Sequence, residues 1–151
     1  MNKIWIYQAD RILSQRESGQ VLERIKPFIS SWTAHGSALA ADGYIKHDLF
    51  LVFEVNEEQA GVTGCSIDKS VHFVKSLEQE FGVSFFDRLK IAYRDAEHVI
   101  QLVDRSVFEE LIKSGTVHSQ TIVFNNILTH ASELESNWEI PFQDSWHSKV
   151  F

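Results

Sequence analysis

The sequence predicts an α+β fold in which a mostly antiparallel sheet has its helices packed on one face. Short segments rich in β-branched and aromatic residues alternate with longer segments whose apolar residues recur at helical spacing. Over the first two thirds of the chain the order is β-α-β-β-α-β, which is the order of a ferredoxin-like (split βαβ) core. The later segments are then a C-terminal extension of this core. Because 151 residues are enough to bury one hydrophobic core, we predict a single globular domain over residues 1–151.

The first predicted elements are a strand and a helix. Ile4–Tyr7 is a short β-rich run, and Ser14–Glu17 has the capping-box pattern that starts a helix. Pro27 lies inside the helical pattern and predicts a kink or a break, whereas Gly36 predicts the end of the helix. The apolar residues at helical spacing are Val21, Leu22, Ile25, Phe28, Ile29 and Trp32.

The middle of the chain predicts a hairpin followed by a second helix. The hairpin turns either at Asp42-Gly43 or near His47-Asp48, and its apolar strand Leu49–Val55 is predicted to be central in the sheet. An apolar stripe at 100° per residue and a final glycine define the helix: Ile67, Val71, Val74, Leu77, Phe81 and Gly82.

The second half repeats these patterns in shorter segments. The predicted elements are strands at Leu89–Tyr93, His98–Val103 and Gln120–Phe124, a helix from the capping box Ser106–Glu109 to Gly115, and a short helical piece at Ser132–Trp138 before an irregular tail.

Composition narrows the classes of function. A net charge of −7 argues against non-specific binding of nucleic acid, which needs clustered Lys and Arg to neutralise phosphate. No apolar run approaches the ~20 residues that cross a bilayer, and the opening MNKIWIYQADR turns polar too early for a signal peptide. One cysteine cannot form an internal disulfide. We therefore expect a cytoplasmic protein that binds neither membrane nor nucleic acid.

The segment GVTGCSIDKS has the outline of a phosphate-binding P-loop. The Walker A motif G-x-x-x-x-G-K-[ST] uses its glycines to wrap backbone N–H groups around phosphates. Aligned on Lys69 and Ser70, the two glycine positions are occupied by Thr63 and Asp68. Asp68 would place a carboxylate where the phosphates bind, so the segment predicts a capped helix start and no working P-loop.

Five segments together resemble one family of proteins. The stretches SWTAHGSALAA, GCSIDKSVHFVK, FDRLKIAYRD, TIVFNN and SWHSKVF are similar to those of short, uncharacterised bacterial proteins of about this length, often labelled "ABC transporter ATPase". The resemblance covers nearly the whole chain and implies no particular activity, cofactor or catalytic residue. Because the chain lacks Walker and signature motifs, we expect the label without the ATPase activity.

The start of the second helix holds the candidate catalytic residues. On a helical wheel Cys65, Lys69 and His72 lie opposite the core stripe, with Asp68 at its edge. A cysteine at a helix N-terminus beside a lysine is a candidate thiolate nucleophile, and Asp68 is spaced to orient His72. Cys65 and His72 are separated by roughly 10 Å of helix, so a base for the thiol would come from another segment.

Two aromatic-histidine pairs are candidate ligand contacts and also supply the remote base. They are Trp32 with His35, and Trp146 with His147. In each pair the ring offers an apolar wall and the imidazole a polar contact, as in small-molecule pockets, although Trp32 is equally a candidate core residue. Lys69 and Ser70 complete the candidate ligand set.

These observations leave three functions open. The favoured one is a non-catalytic module that binds a small ligand or a protein partner. The first alternative is a small enzyme with Cys65 as thiolate nucleophile, and the second is the nucleotide binding that the family label suggests. The seven histidines are scattered without ligand spacing, so no metal site is predicted from a motif, and a site assembled from distant residues stays open.

Overall fold

The computed structural model describes residues 2–58 and 60–151, and every strand pairing in it is antiparallel. With its four helices this confirms the α+β class. The chain forms two units. Unit 1 comprises the described residues up to Phe86 together with Thr129–Ala131, and unit 2 comprises Asp87–Leu128 and Ser132–Phe151. Among the described residues, no helix combines the length and apolar character that a membrane span requires.

Unit 1 is built on a three-stranded sheet. Its central strand, Phe50–Asn56, pairs with Asn2–Gln8 on one side and with Ala40–Lys46 on the other. The register aligns Trp5, Phe53 and Gly43 across the three strands. The elements are β1 (Asn2–Gln8), α1 (Gln15–Ser31), β2 (Thr33–Ala34), β3 (Ser37–Ala38), β4 (Ala40–Lys46), β5 (Phe50–Asn56) and α2 (Gly64–Phe81), with the sheet order β1-β5-β4 and a separate β2-β3 hairpin.

Helix α1 begins as the sequence predicts and ends earlier. Both bonds of the capping box between Ser14 and Glu17 are present. The helix continues through Pro27 to Ser31, so the predicted break does not occur. The predicted stop at Gly36 is also wrong, because Trp32 has extended backbone and the chain has entered β2 by then.

Both helices of unit 1 pack on the sheet face that carries Phe53. The ring of Phe53 lies 5.8 Å from Phe28 of α1 and 6.2 Å from Phe73 of α2, and these two rings stack at 4.4 Å. Trp32 lies 5.9 Å from the same ring. This aromatic cluster is the centre of the core that holds α2 in place.

The buried face of α2 is rotated from the predicted stripe. Val74 and Leu77 are buried as predicted, but Ile67 is 37% exposed and Ser66 and Ser70 are buried in its place. Both buried hydroxyls have partners, since Ser66 donates to the carbonyl of Thr63 and Ser70 donates to the carbonyl of Ile67. Helical periodicity of apolar residues predicts that they face inward, and it cannot predict a buried serine whose hydroxyl is hydrogen-bonded.

Unit 2 contains a second antiparallel sheet. Its elements are β6 (Lys90–Arg94), β7 (Ile100–Asp104), α3 (Arg105–Lys113), β8 (Ile122–Phe124), β9 (Glu139–Pro141) and α4 (His147–Val150), and the sheet order is β7-β6-β8-β9. Phe108 of α3 is fully buried at the centre of the unit 2 core. The predicted capping box at the start of α3 is wrong, since Asp104 is the N-cap residue and makes no side-chain cap.

The strand predicted to be fourth in a ferredoxin-like sheet pairs elsewhere. Both edges of β6 are occupied, one by β7 and the other by β8, so it offers no edge to β1. In unit 1 the outer edge of β1 instead meets residues 129–130, through a Lys3–His130 bridge and an Ile4 N–H to Thr129 carbonyl bond of 3.1 Å.

Three histidines occupy left-handed backbone positions at the tips of hairpins. His35 (φ 52), His47 (φ 57) and His98 (φ 64) lie in the β2–β3, β4–β5 and β6–β7 turns. Of the two predicted turn positions of the β4–β5 hairpin, the one near His47-Asp48 is confirmed, because Gly43 lies within β4. Left-handed backbone disfavours side chains with a Cβ, so these turns are strained.

We expect His98→Gly to raise the free energy of unfolding by roughly 0.5–1 kcal/mol, because glycine adopts this conformation without the Cβ penalty. Denaturant unfolding measures the change. The control is His72→Gly in the exposed face of α2, which should lower stability by about 0.5 kcal/mol through lost helix propensity. A loss of stability in His98→Gly would mean that the imidazole makes a contact stronger than the strain.

Candidate functional site

The loop before α2 is closed by its own side chains. Thr63 is the N-cap residue, and it exchanges hydrogen bonds with Ser66 in a capping box. Further back, the Val62 N–H donates to Oε2 of Glu57 at 2.9 Å, and Lys3 approaches Oε1 at 3.3 Å. These two groups hold the pKa of Glu57 below its usual value, so the loop already wraps a carboxylate.

Lys69 and Ser70 do not form the phosphate-contacting pair of a P-loop. The helix begins at Gly64, so both lie more than one turn beyond its N-terminal N–H groups. The Lys69 ammonium donates to Oγ1 of Thr33 at 3.1 Å, on the exposed side of the helix. The hydroxyl of Ser70 is buried, donates to the carbonyl of Ile67 at 2.6 Å and bonds Tyr7. The two side chains therefore leave α2 in different directions.

The candidate catalytic residues lie in solvent. Cys65, Asp68 and His72 are all exposed, and so is Lys69. Within the described part of the chain, Cys65 makes no hydrogen bond, and no bond joins the carboxylate of Asp68 to the imidazole of His72. The thiol is thus accessible, and no base or orienting group among the described residues hydrogen-bonds it.

The β2–β3 hairpin extends this exposed face of α2. Its strand β2 packs beside α2, and the bond from Lys69 to Thr33 ties the two elements together. His35 lies exposed at the tip of the same hairpin. We call the resulting area the α2–hairpin surface: Thr33, His35, Cys65, Asp68, Lys69 and His72. Thr33 is the member that the sequence analysis missed, because a contact 36 residues away in sequence leaves no local signal.

Trp32 underlies the α2–hairpin surface and is not part of it. Its ring is 2% exposed and packs edge-on to Trp5 at 6.4 Å. Its indole N–H donates to the carbonyl of Ser66 at 2.8 Å. Trp32 therefore fixes the first turn of α2 against the end of α1, with its polar atom bonded inside the protein.

Trp146 and His147 lie in unit 2, where they stack at 3.8 Å. His147 is 2% exposed, and its ring lies 6.1 Å from Phe108. Burial, with the field of Arg105 adding to it, lowers the pKa of His147 from 6.5 to about 4. The imidazole is therefore neutral at pH 7. The indole N–H of Trp146 is buried without a partner among the described residues.

The tautomer of His147 follows from its neighbour. The single hydroxyl hydrogen of Ser145 is directed at the carbonyl of Phe142, 2.8 Å away. Toward Nδ1 of His147, at 3.1 Å, the same oxygen can then only accept. Nδ1 carries the proton and Nε2 the lone pair.

Metal ligation and known relatives give no further guide to the chemistry. In residues 2–58 and 60–151, no three His, Cys, Asp or Glu side chains are placed to hold one metal ion. No protein-family model, curated protein or solved structure matches the chain.

Proposed function

We propose that the protein is a non-catalytic binding module and that the α2–hairpin surface contacts a protein partner. The observation that carries this proposal is the Lys69–Thr33 bond, which joins the exposed face of α2 and the hairpin into one continuous area. Its members carry charges of both signs, Asp68 beside Lys69, with two imidazoles. An exposed helix face is convex, and mixed charges on such a face suit recognition of another protein surface more than enclosure of a small ligand.

A photo-crosslinker on Cys65 tests this proposal, because the chain has one cysteine and it is exposed. We expect a discrete protein adduct in extracts of the source cells, and a product of twice 17.4 kDa would identify a second copy as the partner. The matched control carries Cys65→Ser with Glu109→Cys on the exposed side of α3. The same adducts from both positions, or none from Cys65, would contradict the proposal.

The alternative is a small enzyme with Cys65 as nucleophile, which the accessibility of the thiol favours. We expect Cys65 to react with a disulfide reagent at pH 7 no faster than free cysteine, because no described residue hydrogen-bonds its thiol. Reactivity is measured by stopped-flow release of the aromatic thiol, with His72→Ala and Asp68→Ala as comparisons. A rate well above that of free cysteine, lost in either variant, would favour the enzyme.

Nucleotide binding is the remaining function that the resemblance suggests. We propose that the protein belongs to the resembled family and lacks ATPase activity, since Lys69 and Ser70 diverge and Glu57 closes the preceding loop. A thermal-shift assay with MgATP at millimolar concentration tests nucleotide binding. We expect no change in melting temperature, and stabilisation would contradict the absence of a nucleotide site.

We further propose a cytoplasmic location, on the ground that the single cysteine of the sequence cannot form an internal disulfide. For the fold, we propose that unit 1 is a three-stranded relative of the split βαβ arrangement. The order β1-β5-β4 matches its first three strands, and the Lys3–His130 bridge lies along the edge where a fourth strand would pair.

A further inference from the structure

In the described part of the chain, the last seven residues of unit 2 contact its core through side-chain packing. The ring of Phe151 lies 5.1 Å from the ring of Phe108, and the guanidinium carbon of Arg105 lies 5.0 Å from the centroid of the same Phe151 ring. His147 touches the same Phe108 ring. None of these contacts is a backbone hydrogen bond, so the segment holds to α3 through packing.

The hydrogen bonds of this segment are local. Within the described residues, its backbone N–H groups donate about one turn back, from Ser145 to Phe142, from Ser148 to Ser145, from Lys149 to Trp146 and from Phe151 to His147, and Oγ of Ser148 donates to the carbonyl of Gln143 at 3.3 Å. The residues just before it are anchored differently: Phe142 and Gln143 donate backbone bonds of 2.7 and 3.1 Å to the carbonyls of Thr121 and Ser119. The segment Ser145–Phe151 can thus leave α3 without breaking the sheet, and the chain from 143 to 145 is its hinge.

Two features oppose the docked state. The buried indole N–H of Trp146 has no partner when the segment is docked, and water would satisfy it when the segment leaves. His147 is a buried ionisable group, and no carboxylate of the described residues forms a hydrogen bond or ion pair with its imidazole. The charged group that faces it is Arg105 of α3, which has the same sign as an imidazolium; Tyr93 of β6, also against Phe108, stays neutral because burial raises its pKa.

We propose that Ser145–Phe151 is an acid-sensitive latch, docked on α3 while His147 is uncharged and released as a unit when its Nε2 takes up a proton. Release transfers the imidazolium to water, away from Arg105, and frees the Trp146 N–H. It also uncovers the Phe108 ring face, which Phe142 contacts from the anchored side of the hinge. The device therefore converts a drop in pH into an exposed apolar patch on unit 2.

The direction of the pH effect follows from linkage. Burial lowers the pKa of His147 from 6.5 to about 4, so the docked state is fully stabilised above pH 6.5 and loses stability as the pH falls toward 4. Over this window the equilibrium constant for release should rise about tenfold per pH unit, to a total of roughly two to three orders of magnitude.

Nitrogen-15 NMR between pH 7.5 and 4 tests the latch. We expect the Trp146 indole N–H and the amides of Ser148–Phe151 to shift together in one transition, while the amides of Ile91 and Val123 in the sheet stay unchanged. His147→Phe, which keeps an apolar ring and cannot titrate, should abolish the transition, and His147→Gln serves if that variant does not fold. The control His118→Gln removes an exposed histidine of unit 2 and should leave the transition in place.

Two results would overturn the proposal. One is a set of segment resonances that change only together with Ile91 and Val123, since this is unfolding of the whole unit. The other is the same transition in a variant without His147. The wild-type measurement gives the first answer by itself, so the test does not depend on the stability of any variant.

Discussion

Gly43→Ala should lower the free energy of unfolding by roughly 1–3 kcal/mol, although it adds one methyl group to a strand. A Cβ at this position of β4 would lie 2.7 Å from Cγ2 of Ile25 in α1 and 3.1 Å from the ring of Phe53. Both neighbours are buried, and the Ile25 methyl is on a branched Cβ, so it cannot swing away. The absence of a side chain at Gly43 is what allows α1 to approach the sheet.

A glycine-to-alanine substitution elsewhere in unit 1 should raise the free energy of unfolding. Gly19 lies inside α1 with nothing within 4 Å of an added Cβ, so Gly19→Ala should stabilise the protein by about 0.5–1 kcal/mol. Ile25→Leu removes the Cγ2 methyl, and the double variant with Gly43→Ala should recover part of the loss in a double-mutant cycle. Equal stability of the two alanine variants in urea unfolding would refute this packing account.

Trp32→Ala should cost about 3–5 kcal/mol, the largest effect expected in unit 1. The substitution removes a ring that contacts Trp5, Phe28 and Phe53, together with the N–H bond to Ser66. Because that bond fixes the first turn of α2, the geometry of the α2–hairpin surface should be lost as well.

Trp32→Phe separates the two contributions of this side chain. It keeps most of the ring packing and loses the 2.8 Å bond, so we expect a cost of about 1 kcal/mol. Calorimetric or urea unfolding gives both values. If Trp32→Ala leaves stability unchanged while it abolishes the Cys65 adduct, Trp32 is a ligand contact and the core assignment is wrong.

Local signals in the sequence account for the parts of the fold that were predicted. The capping box at Ser14–Glu17 and the glycine stop of α2 at Gly82, where φ is 61, depend on neighbours within four residues. The rotation of α2 was missed because a residue distant in sequence contacts its first turn: the indole N–H of Trp32 donates to the backbone carbonyl of Ser66, 34 residues away. The sheet membership of β6 was missed for the same reason, since its partner β8 comes much later in the chain.

For the candidate site too, local sequence patterns predicted one part and contacts between distant segments supplied the rest. Helical periodicity was enough to place Cys65, Asp68, Lys69 and His72 away from the core. It could not show that a hairpin joins this face through Thr33, because no pattern in a single sequence records a bond between distant segments. In unit 2, the pairing of Trp146 with His147 was visible in the sequence, whereas the field of Arg105 that acts on the imidazole was not.

The most direct test of the α2–hairpin surface is reversal of its charges in the crosslinking assay. The variant Asp68→Lys with Lys69→Glu keeps Cys65 for the crosslinker and keeps the net charge, and it breaks the bond to Thr33. The matched variant Glu109→Lys with Lys113→Glu reverses two exposed charges on α3. We predict that the first reduces the yield of the Cys65 adduct by about tenfold or more, equivalent to ~1.4 kcal/mol of binding, and that the second leaves it unchanged. Equal yields in both variants and the wild type would contradict the proposed surface.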